Sequence, residues 1–180
     1  TILFVWWVGR EWFSRLAGII AATLYAVSPT VVIYSKSSWN PNIMPFFALL
    51  CVYSIWRIWK RKEYKWLVVC SISFAFVMQS HYLGLLLAPT LFIFWLLSKV
   101  PIRYSIISAV TFLLLMSPLA IFDARHGYIN FLAMKKFFTV RQETVSIIPW
   151  KAIPNVWPIY QNIIERLPAG RNVIAGFLLS

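Results

Sequence analysis

An apolar run, a polar break and a second apolar run follow one another between residues 16 and 59: LAGIIAATLYAVSPTVVIY (16–34), SKSSWNPN (35–42) and IMPFFALLCVYSIWRIW (43–59). A helix rises about 1.5 Å per residue, so about 20 apolar residues cross the ~30 Å hydrocarbon core of a bilayer. Each apolar run therefore predicts a membrane-crossing helix. The polar break predicts a turn at one membrane surface.

The composition of the whole chain is that of a membrane protein. Of its 180 residues, 61% are hydrophobic and only 12% are charged, which is too few to cover a soluble domain with polar groups. The formal charge of +12 is therefore better explained by loops at a lipid surface than by a nucleic-acid partner. Cys51 and Cys70 both lie in apolar runs, where neither a disulfide nor a metal site is indicated.

Further apolar runs extend this pattern along the chain. The predicted spans are 16–34, 43–59, 66–78, 82–97 and 102–122, with partial spans at 1–8 and 172–180. Because no period-2 alternation is present, we predict an all-α fold, a polytopic transmembrane helical bundle forming one membrane domain. Residues 123–171 form an external loop. Since Thr1 opens the chain and its last residues stop inside an apolar run, we expect a fragment of a longer protein.

Basic residues are distributed unevenly among the connections. Nine Lys and Arg side chains lie on alternate connections, whereas the intervening short turns carry only Lys36. The basic connections are 10–15, 57–65 and 99–103. The positive-inside rule places them in the cytoplasm. The turns at 35–42 and 79–81 and the loop 123–171 then share the extracytoplasmic face of a multi-pass protein in the plasma or inner membrane.

Two turns on this face carry candidate binding residues. Asn40 and Asn42 lie among serines, and such amides and hydroxyls suit a polyhydroxylated ligand. In the alternative interpretation, Asn42 caps the next helix and Trp39 anchors the chain at the interface. His81 in the second turn also has two interpretations: a satisfied turn residue, or a contact to the phosphate or sugar of a substrate.

The sequence FDARHGYIN follows the fifth predicted span directly. Asp123 is the only aspartate in the chain, and Arg125 and His126 come next. One interpretation is a local Asp–Arg pair that ends the helix, with Gly127 as the stop. The other is a site in which Asp123 orients or accepts a proton while Arg125 and His126 meet an anion.

The rest of the external loop is too polar to span and too aromatic to be disordered. INFLAMKKFFTV (129–140) mixes apolar residues with Lys135 and Lys136, as an interfacial amphipathic helix would. Residues 147–168 carry four prolines among tryptophans, so we expect an ordered surface loop that ends in a short amphipathic helix. A lipid-linked phosphate would explain the outward basic residues, and ordinary anionic headgroups would also explain them.

Three stretches resemble GT-C membrane glycosyltransferases of the protein-mannosyltransferase and aminoarabinose-transferase kind. They are SRLAGIIAATLYAVSPTVVIYSKSSWNPNIMPFFALL, MQSHYLGLLLAPTLFIFWLL and SPLAIFDARHGYINF, which cover most of residues 14–132. The resemblance implies transfer of one sugar from a polyprenyl-phosphate-linked donor to a protein, lipid or glycan acceptor on the extracytoplasmic side. The implied partners are that donor, the acceptor and membrane lipids, without nucleic acid.

The resemblance also implies where the chemistry lies. The family's principal catalytic acid is in the first external loop, which we expect to precede this chain, so the chain alone should be inactive. Many relatives carry an aspartate in the loop where this chain has Asn40 and Asn42, and amides cannot act as bases near neutral pH. Asp123 is then a secondary acid. The substrate-binding candidates are Asn40, Asn42, His81, Arg125, His126, Lys135 and Lys136.

No cofactor is assigned from the sequence. A Walker or Rossmann phosphate loop is absent, and no metal ligand is assigned because one aspartate and scattered amides make a poor cage. A divalent metal remains open, since the absent loop could add ligands. The alternative function is a transporter or flippase of an anionic lipid or glycan, which would show internal repeats and mid-span charges that this sequence lacks. A structural membrane subunit is a third possibility.

Overall fold

The computed structural model describes residues 1–139 and 149–169, and all regular structure in these ranges is helical. The α-helices are α1 (Ile2–Trp12), α2 (Arg15–Val27), α3 (Pro29–Ser35), α4 (Met44–Arg61), α5 (Trp66–Ser80), α6 (Ala88–Ser98), α7 (Ile102–Arg125), α8 (Ile129–Thr139) and α9 (Pro149–Ala169). Two 3-10 helices, Asn40–Ile43 and Tyr82–Leu87, precede α4 and α6. The predicted all-α fold is confirmed.

The chain divides into two compact units. The first unit comprises residues 1–39 and 132–180, and the second comprises residues 40–131. In the first unit, α1 and α2 pack closely because glycines face each other. A Cβ atom on Gly18 would lie 2.5 Å from the carbonyl oxygen of Trp6, and one on Gly9 would lie 2.9 Å from the Cα atom of Gly18. Small residues that let backbones approach are typical of helix contacts in membranes.

A bend of 57° separates α2 from α3. Ser28 takes an extended backbone angle (ψ 120°), as a residue before proline prefers, and Pro29 opens α3 without an N–H group. The predicted span 16–34 therefore corresponds to two helices joined at a break.

The prolines after residue 148 do not interrupt α9. Over residues 147–168 we expected an ordered surface loop that ends in a short amphipathic helix, and the helix is longer than expected, because α9 runs from Pro149 to Ala169 with prolines inside it. Each internal proline removes one N–H donor, but the remaining hydrogen bonds and the packing of α9 on α2 and α3 maintain the helix. Its exposed apolar residues are Ile153, Val156, Trp157, Ile159, Tyr160 and Ile163, and all of them except Ile159 fall at helical spacing. The predicted helix over 129–140 is present as α8.

The second unit is built around α5. Helices α4 and α7 both pack on it, and the rings of Phe47 and Phe76 stack with centroids 4.5 Å apart. Between α4 and α5, the Cys51 thiol lies 3.7 Å from the Cys70 carbonyl oxygen, and the Cys70 thiol lies 3.8 Å from the Cys51 carbonyl oxygen. Both cysteines are free and buried.

A polar cluster closes the turn between α4 and α5. Arg57 donates to the Glu63 carboxylate at 2.6 and 3.1 Å and to the Tyr53 hydroxyl at 2.8 Å. The Trp66 indole donates to the same Glu63 oxygen at 2.8 Å. Hydrogen bonding from Arg57 holds the pKa of Glu63 below its ordinary value. This cluster ties the start of α5 to the last turns of α4.

Two helices of the described residues are long and apolar enough to cross a membrane, Asn40–Arg61 and Ile102–Arg125. The bent pair α2–α3 makes a third if it is counted as one span. Two shorter apolar helices, Trp66–Ser80 and Tyr82–Ser98, lie where the third and fourth complete spans are predicted. The final predicted partial span, 172–180, lies outside the described residues.

Candidate functional site

Helices α5 and α7 run in the same direction. Phe74 stacks on Phe112, with centroids 5.7 Å apart, and five residues later Gln79 reaches Leu115. Because α5 ends at Ser80 while α7 continues for ten residues beyond Leu115, α7 extends about 15 Å past this contact. Measured along the shared direction of the two helices, the candidate residues at the end of α7 therefore lie beyond those at the end of α5.

A hydrogen bond between helices lies just before this extension. The Gln79 side-chain amide donates to the Leu115 carbonyl oxygen at 3.3 Å. Pro118, inside α7, has no N–H group for the Leu114 carbonyl, and the Ser117 hydroxyl donates to that oxygen at 2.7 Å instead. The sequence alone does not predict this contact of Gln79. The one feature that could have indicated it is an amide side chain at the end of an apolar helix.

His81 is the C-cap of α5 and begins the following 3-10 helix. Its Nδ1 atom accepts a hydrogen bond from the Leu83 N–H group at 3.1 Å. In the neutral ring the proton must then lie on Nε2, so His81 offers a donor at that atom. The 3-10 helix folds back on α5 because Gly84 fits against Val77, where a Cβ atom would meet a side-chain carbon at 2.4 Å. His81 therefore has a structural role in this turn through its Nδ1 atom.

Asn40 and Asn42 lie in the 3-10 helix before α4, which packs on both α4 and α5. Asn40 is exposed and Asn42 is half-buried. The N-cap residue of α4 is Ile43, which makes no side-chain capping bond, and the 3-10 turn that contains both asparagines directly precedes the helix.

Asp123 is a buried carboxylate that joins α7 to α8. Its Oδ1 atom accepts from the Asn130 N–H group at 2.7 Å, and its Oδ2 atom accepts from the Phe131 N–H group at 3.0 Å. These are amide groups of the first turn of α8, which otherwise lack partners within the helix. A carboxylate at this position also complements the helix dipole. The expected pairing with Arg125 is replaced, among the described contacts, by this capping interaction.

The backbone between the two helices takes an unusual course. Gly127 has a φ angle of +71°, which confirms the expected glycine stop, and Tyr128 has a φ angle of +60°. Left-handed backbone is unfavourable for a tyrosine, and the bond from the Tyr128 N–H group to the Asp123 carbonyl oxygen at 2.7 Å holds it there. These bonds hold the turn between α7 and α8 in this conformation.

His126 has the opposite tautomer to His81. Its Nδ1 atom lies 2.7 Å from the Phe122 carbonyl oxygen, and its ring stacks on Phe122 with centroids 4.1 Å apart. Since a carbonyl only accepts, Nδ1 carries the proton and Nε2 is an acceptor in the neutral ring. His126 and Arg125 are both exposed. The two histidines of the chain thus present different chemistry: one donor and one acceptor.

The structure arranges the candidate residues in three groups. Asn40, Asn42 and His81 lie near the end of α5 in the second unit, and Asp123, Arg125 and His126 lie at the far end of α7 in the same unit. Lys135 and Lys136 are exposed on α8 and belong to the first unit. Among the described residues, no three His, Cys, Asp or Glu side chains are grouped to hold a metal.

A family model described as dolichyl-phosphate-mannose-protein mannosyltransferase matches residues 1–122, more than half of the chain. The chain belongs to this family. The resemblance seen in the sequence is thereby confirmed. The protein is a glycosyltransferase of the GT-C type, and its apolar helices make it an integral membrane protein. No curated protein and no solved structure matches the chain.

The match divides the candidate site. Asn40, Asn42 and His81 lie inside the matched segment, whereas Asp123 and every later candidate lie beyond its end at residue 122. Membership implies, in general terms, a polyprenyl-phosphate-sugar donor and an acceptor. The match therefore covers the candidate residues near the end of α5 and not those at the end of α7.

Proposed function

We propose that this protein moves a sugar from a polyprenyl-phosphate-linked donor to a lipid, protein or glycan acceptor at the extracytoplasmic face of the membrane. The family match over residues 1–122 carries the proposal. The uneven distribution of basic residues supports the multi-pass arrangement and the face.

The two histidines have distinct roles in this proposal. His81 donates from Nε2 to a phosphate oxygen or a sugar hydroxyl, because its Nδ1 is occupied by the Leu83 N–H group at 3.1 Å. His126 accepts at Nε2, because its Nδ1 is occupied by the Phe122 carbonyl oxygen at 2.7 Å. Asn40 and Asn42 bind sugar hydroxyls, since an amide both donates and accepts.

In this proposal the basic residues bind anionic groups, and the acidic residue positions the turn between α7 and α8. Arg125 neutralises the donor phosphate, as a guanidinium group commonly does, and Lys135 and Lys136 of the first unit are separate candidates for binding an anionic group. Asp123 is a positioning residue, because both of its carboxylate oxygens are occupied by α8 amides. Its proposed part in the reaction is to hold the turn that carries Arg125 and His126.

Sugar transfer by the full-length protein tests this site. Labelled sugar on a polyprenyl phosphate is supplied in vesicles, and His81→Ala, Asn42→Ala and Asp123→Ala are compared singly with the parent. Loss of a hydrogen bond to a charged group costs about 1.5–3 kcal/mol, so the His81 variant should transfer roughly 10- to 150-fold more slowly. Unchanged transfer in all three variants would exclude the site while leaving the family assignment intact. Ser35→Ala, on the exposed end of α3, is the matched control.

Sidedness has its own test. Cysteines introduced at Ser38 and Tyr128, both exposed, are labelled with a membrane-impermeant maleimide in intact cells. Both should react from outside. Labelling from opposite sides would separate the asparagine turn from the Arg125–His126 turn, and no shared pocket could then exist.

A further inference from the structure

Charge is segregated along the second unit. Within residues 40–131 the sequence has eight Lys and Arg residues but only two acids, Glu63 and Asp123. Six of the cations are exposed on the α4–α5 and α6–α7 turns: Lys60, Arg61, Lys62, Lys65, Lys99 and Arg103. We call these six residues the basic end. Asp123 lies at the other end of α7, so of the two acids in this unit only Glu63 lies near the basic end.

That acid is already engaged. The Glu63 carboxylate accepts two bonds from Arg57, at 2.6 and 3.1 Å, and one from the Trp66 indole at 2.8 Å. Arg57 is not one of the exposed six, and its guanidinium lies 5.0 Å from the Trp66 ring centroid. The pair therefore neutralises itself within the turn, and the basic end keeps its net positive charge.

The two turns of the basic end are neighbours. The rings of Tyr64 and Tyr104 lie 6.2 Å apart between centroids, which brings the α4–α5 turn next to the start of α7. The Trp95 indole donates to the Ser105 hydroxyl at 3.1 Å and closes the α6–α7 turn. The six cations thus form one surface, not two separate patches.

Tryptophans place this surface at a membrane boundary. The Lys60 ammonium lies 4.1 Å from the Trp59 ring centroid, and the Arg61 guanidinium lies 5.1 Å from the Trp56 ring centroid. These contacts align the cations along the last turn of Asn40–Arg61, a helix long enough to cross a bilayer. Tryptophan at the headgroup level beside exposed Lys and Arg is typical of an interface with anionic lipid.

We propose that the basic end binds the headgroups of anionic phospholipids, which are retained by this surface in preference to zwitterionic ones. The position of the surface fits this occupant. Its cations lie at the end of a helix long enough to cross the hydrocarbon core, which is the depth of the lipid phosphates. The interaction is separate from sugar transfer, since the candidate donor residues of this unit lie at its opposite end.

Lipid retention by the full-length protein tests the proposal. The protein is placed in nanodiscs of equimolar phosphatidylglycerol and phosphatidylcholine with matched acyl chains, and bound lipids are counted by native mass spectrometry after release. Each basic residue near an anionic surface contributes roughly fivefold to binding. The parent should retain mainly phosphatidylglycerol, and the combined variant Lys60→Gln, Arg61→Gln, Lys62→Gln and Lys65→Gln should lose this preference by roughly 600-fold if the four contributions multiply.

Controls separate the possible outcomes. Lys36→Gln, with a similarly exposed lysine in the first unit, should keep the preference, and Lys99→Gln with Arg103→Gln should weaken it even if the fourfold variant fails to fold. Equal retention of both lipids by the parent would overturn the proposal, as would full preference in the fourfold and double variants. If inorganic phosphate in excess over the lipid abolished the preference at constant ionic strength, the surface would be a free-phosphate site and the lipid assignment would be wrong.

Discussion

Replacing Asp123 by alanine should release the first turn of α8 without disturbing α7. The carboxylate is 8% exposed, and its two oxygens accept from the Asn130 and Phe131 amides at 2.7 and 3.0 Å. Alanine leaves both amides without a partner in the helix. The effect of the substitution should therefore be local, and exchange of the Asn130 and Phe131 amides reports it.

The magnitude follows from the number and kind of bonds. A capping side chain contributes about 1 kcal/mol and up to ~2 kcal/mol, and bonds to a charged acceptor lie at the upper end. Two bonds to one buried carboxylate give about 2 kcal/mol for Asp123→Ala. That corresponds to a roughly thirtyfold larger equilibrium constant for opening of the first turn of α8. Asp123→Asn keeps one acceptor oxygen without charge and should lose about half of this free energy.

Hydrogen–deuterium exchange of the full-length protein in detergent measures this directly. Peptides covering residues 128–136 should lose protection in the order alanine, then asparagine, then parent. Arg125→Ala is the control, because Arg125 is exposed and the two α8 amides bond to Asp123 instead. Peptides from α5 should exchange alike in all proteins.

The same variants separate positioning from acid chemistry. If Asp123 positions the turn, asparagine should recover part of the sugar transfer that alanine loses. If Asp123 exchanges a proton with substrate, asparagine and alanine should be equally slow. Unchanged exchange of residues 128–136 in Asp123→Ala would refute the capping interpretation.

Other contacts lead to three further predictions. Gly18→Ala should lower the free energy of unfolding by about 1–3 kcal/mol in thermal melts, because its Cβ atom would meet backbone of α1 at 2.5 Å; an unshifted melting temperature would contradict the close packing. Gln79→Met should cost only about 0.6 kcal/mol, the typical value of a hydrogen bond between membrane helices, since it removes the donor to Leu115 and keeps the volume. A loss above ~3 kcal/mol would show another role. The Arg57 hydrogen bonds lower the pKa of Glu63 from the ordinary 4.5, so its stabilising contribution is full above that pH and is lost as pH falls through the lower folded value. Glu63→Gln should remove this part of the acid dependence of the melting temperature, and an identical pH profile would refute it.

Local patterns in the sequence were sufficient for the class of protein and for most helices. Long apolar runs predict helices because an apolar environment requires each backbone group to bond within its own segment. Gly127 was predicted as a helix stop and has the expected positive φ angle. The prolines of α9 misled the prediction, since proline weakens a helix locally but tertiary packing can maintain it.

The candidate site was predicted less completely. The residue types at positions 81, 123 and 126 indicated polar chemistry, but not which atoms remain for a ligand. The tautomers of His81 and His126 follow from one backbone N–H and one backbone carbonyl, which only coordinates can assign. Asp123 was expected to face Arg125 or a substrate, and it caps α8 instead.

By itself, the sequence determined that this is a helical membrane glycosyltransferase, because hydropathy, charge placement and family motifs are properties of consecutive residues. Only the tertiary structure decided that Gln79 bonds to the Leu115 carbonyl, 36 residues away, and that α7 extends past α5. It also decided that Asp123 joins two helices. Such contacts depend on how separate helices pack, and packing is set by shape and unsatisfied hydrogen bonds across the fold.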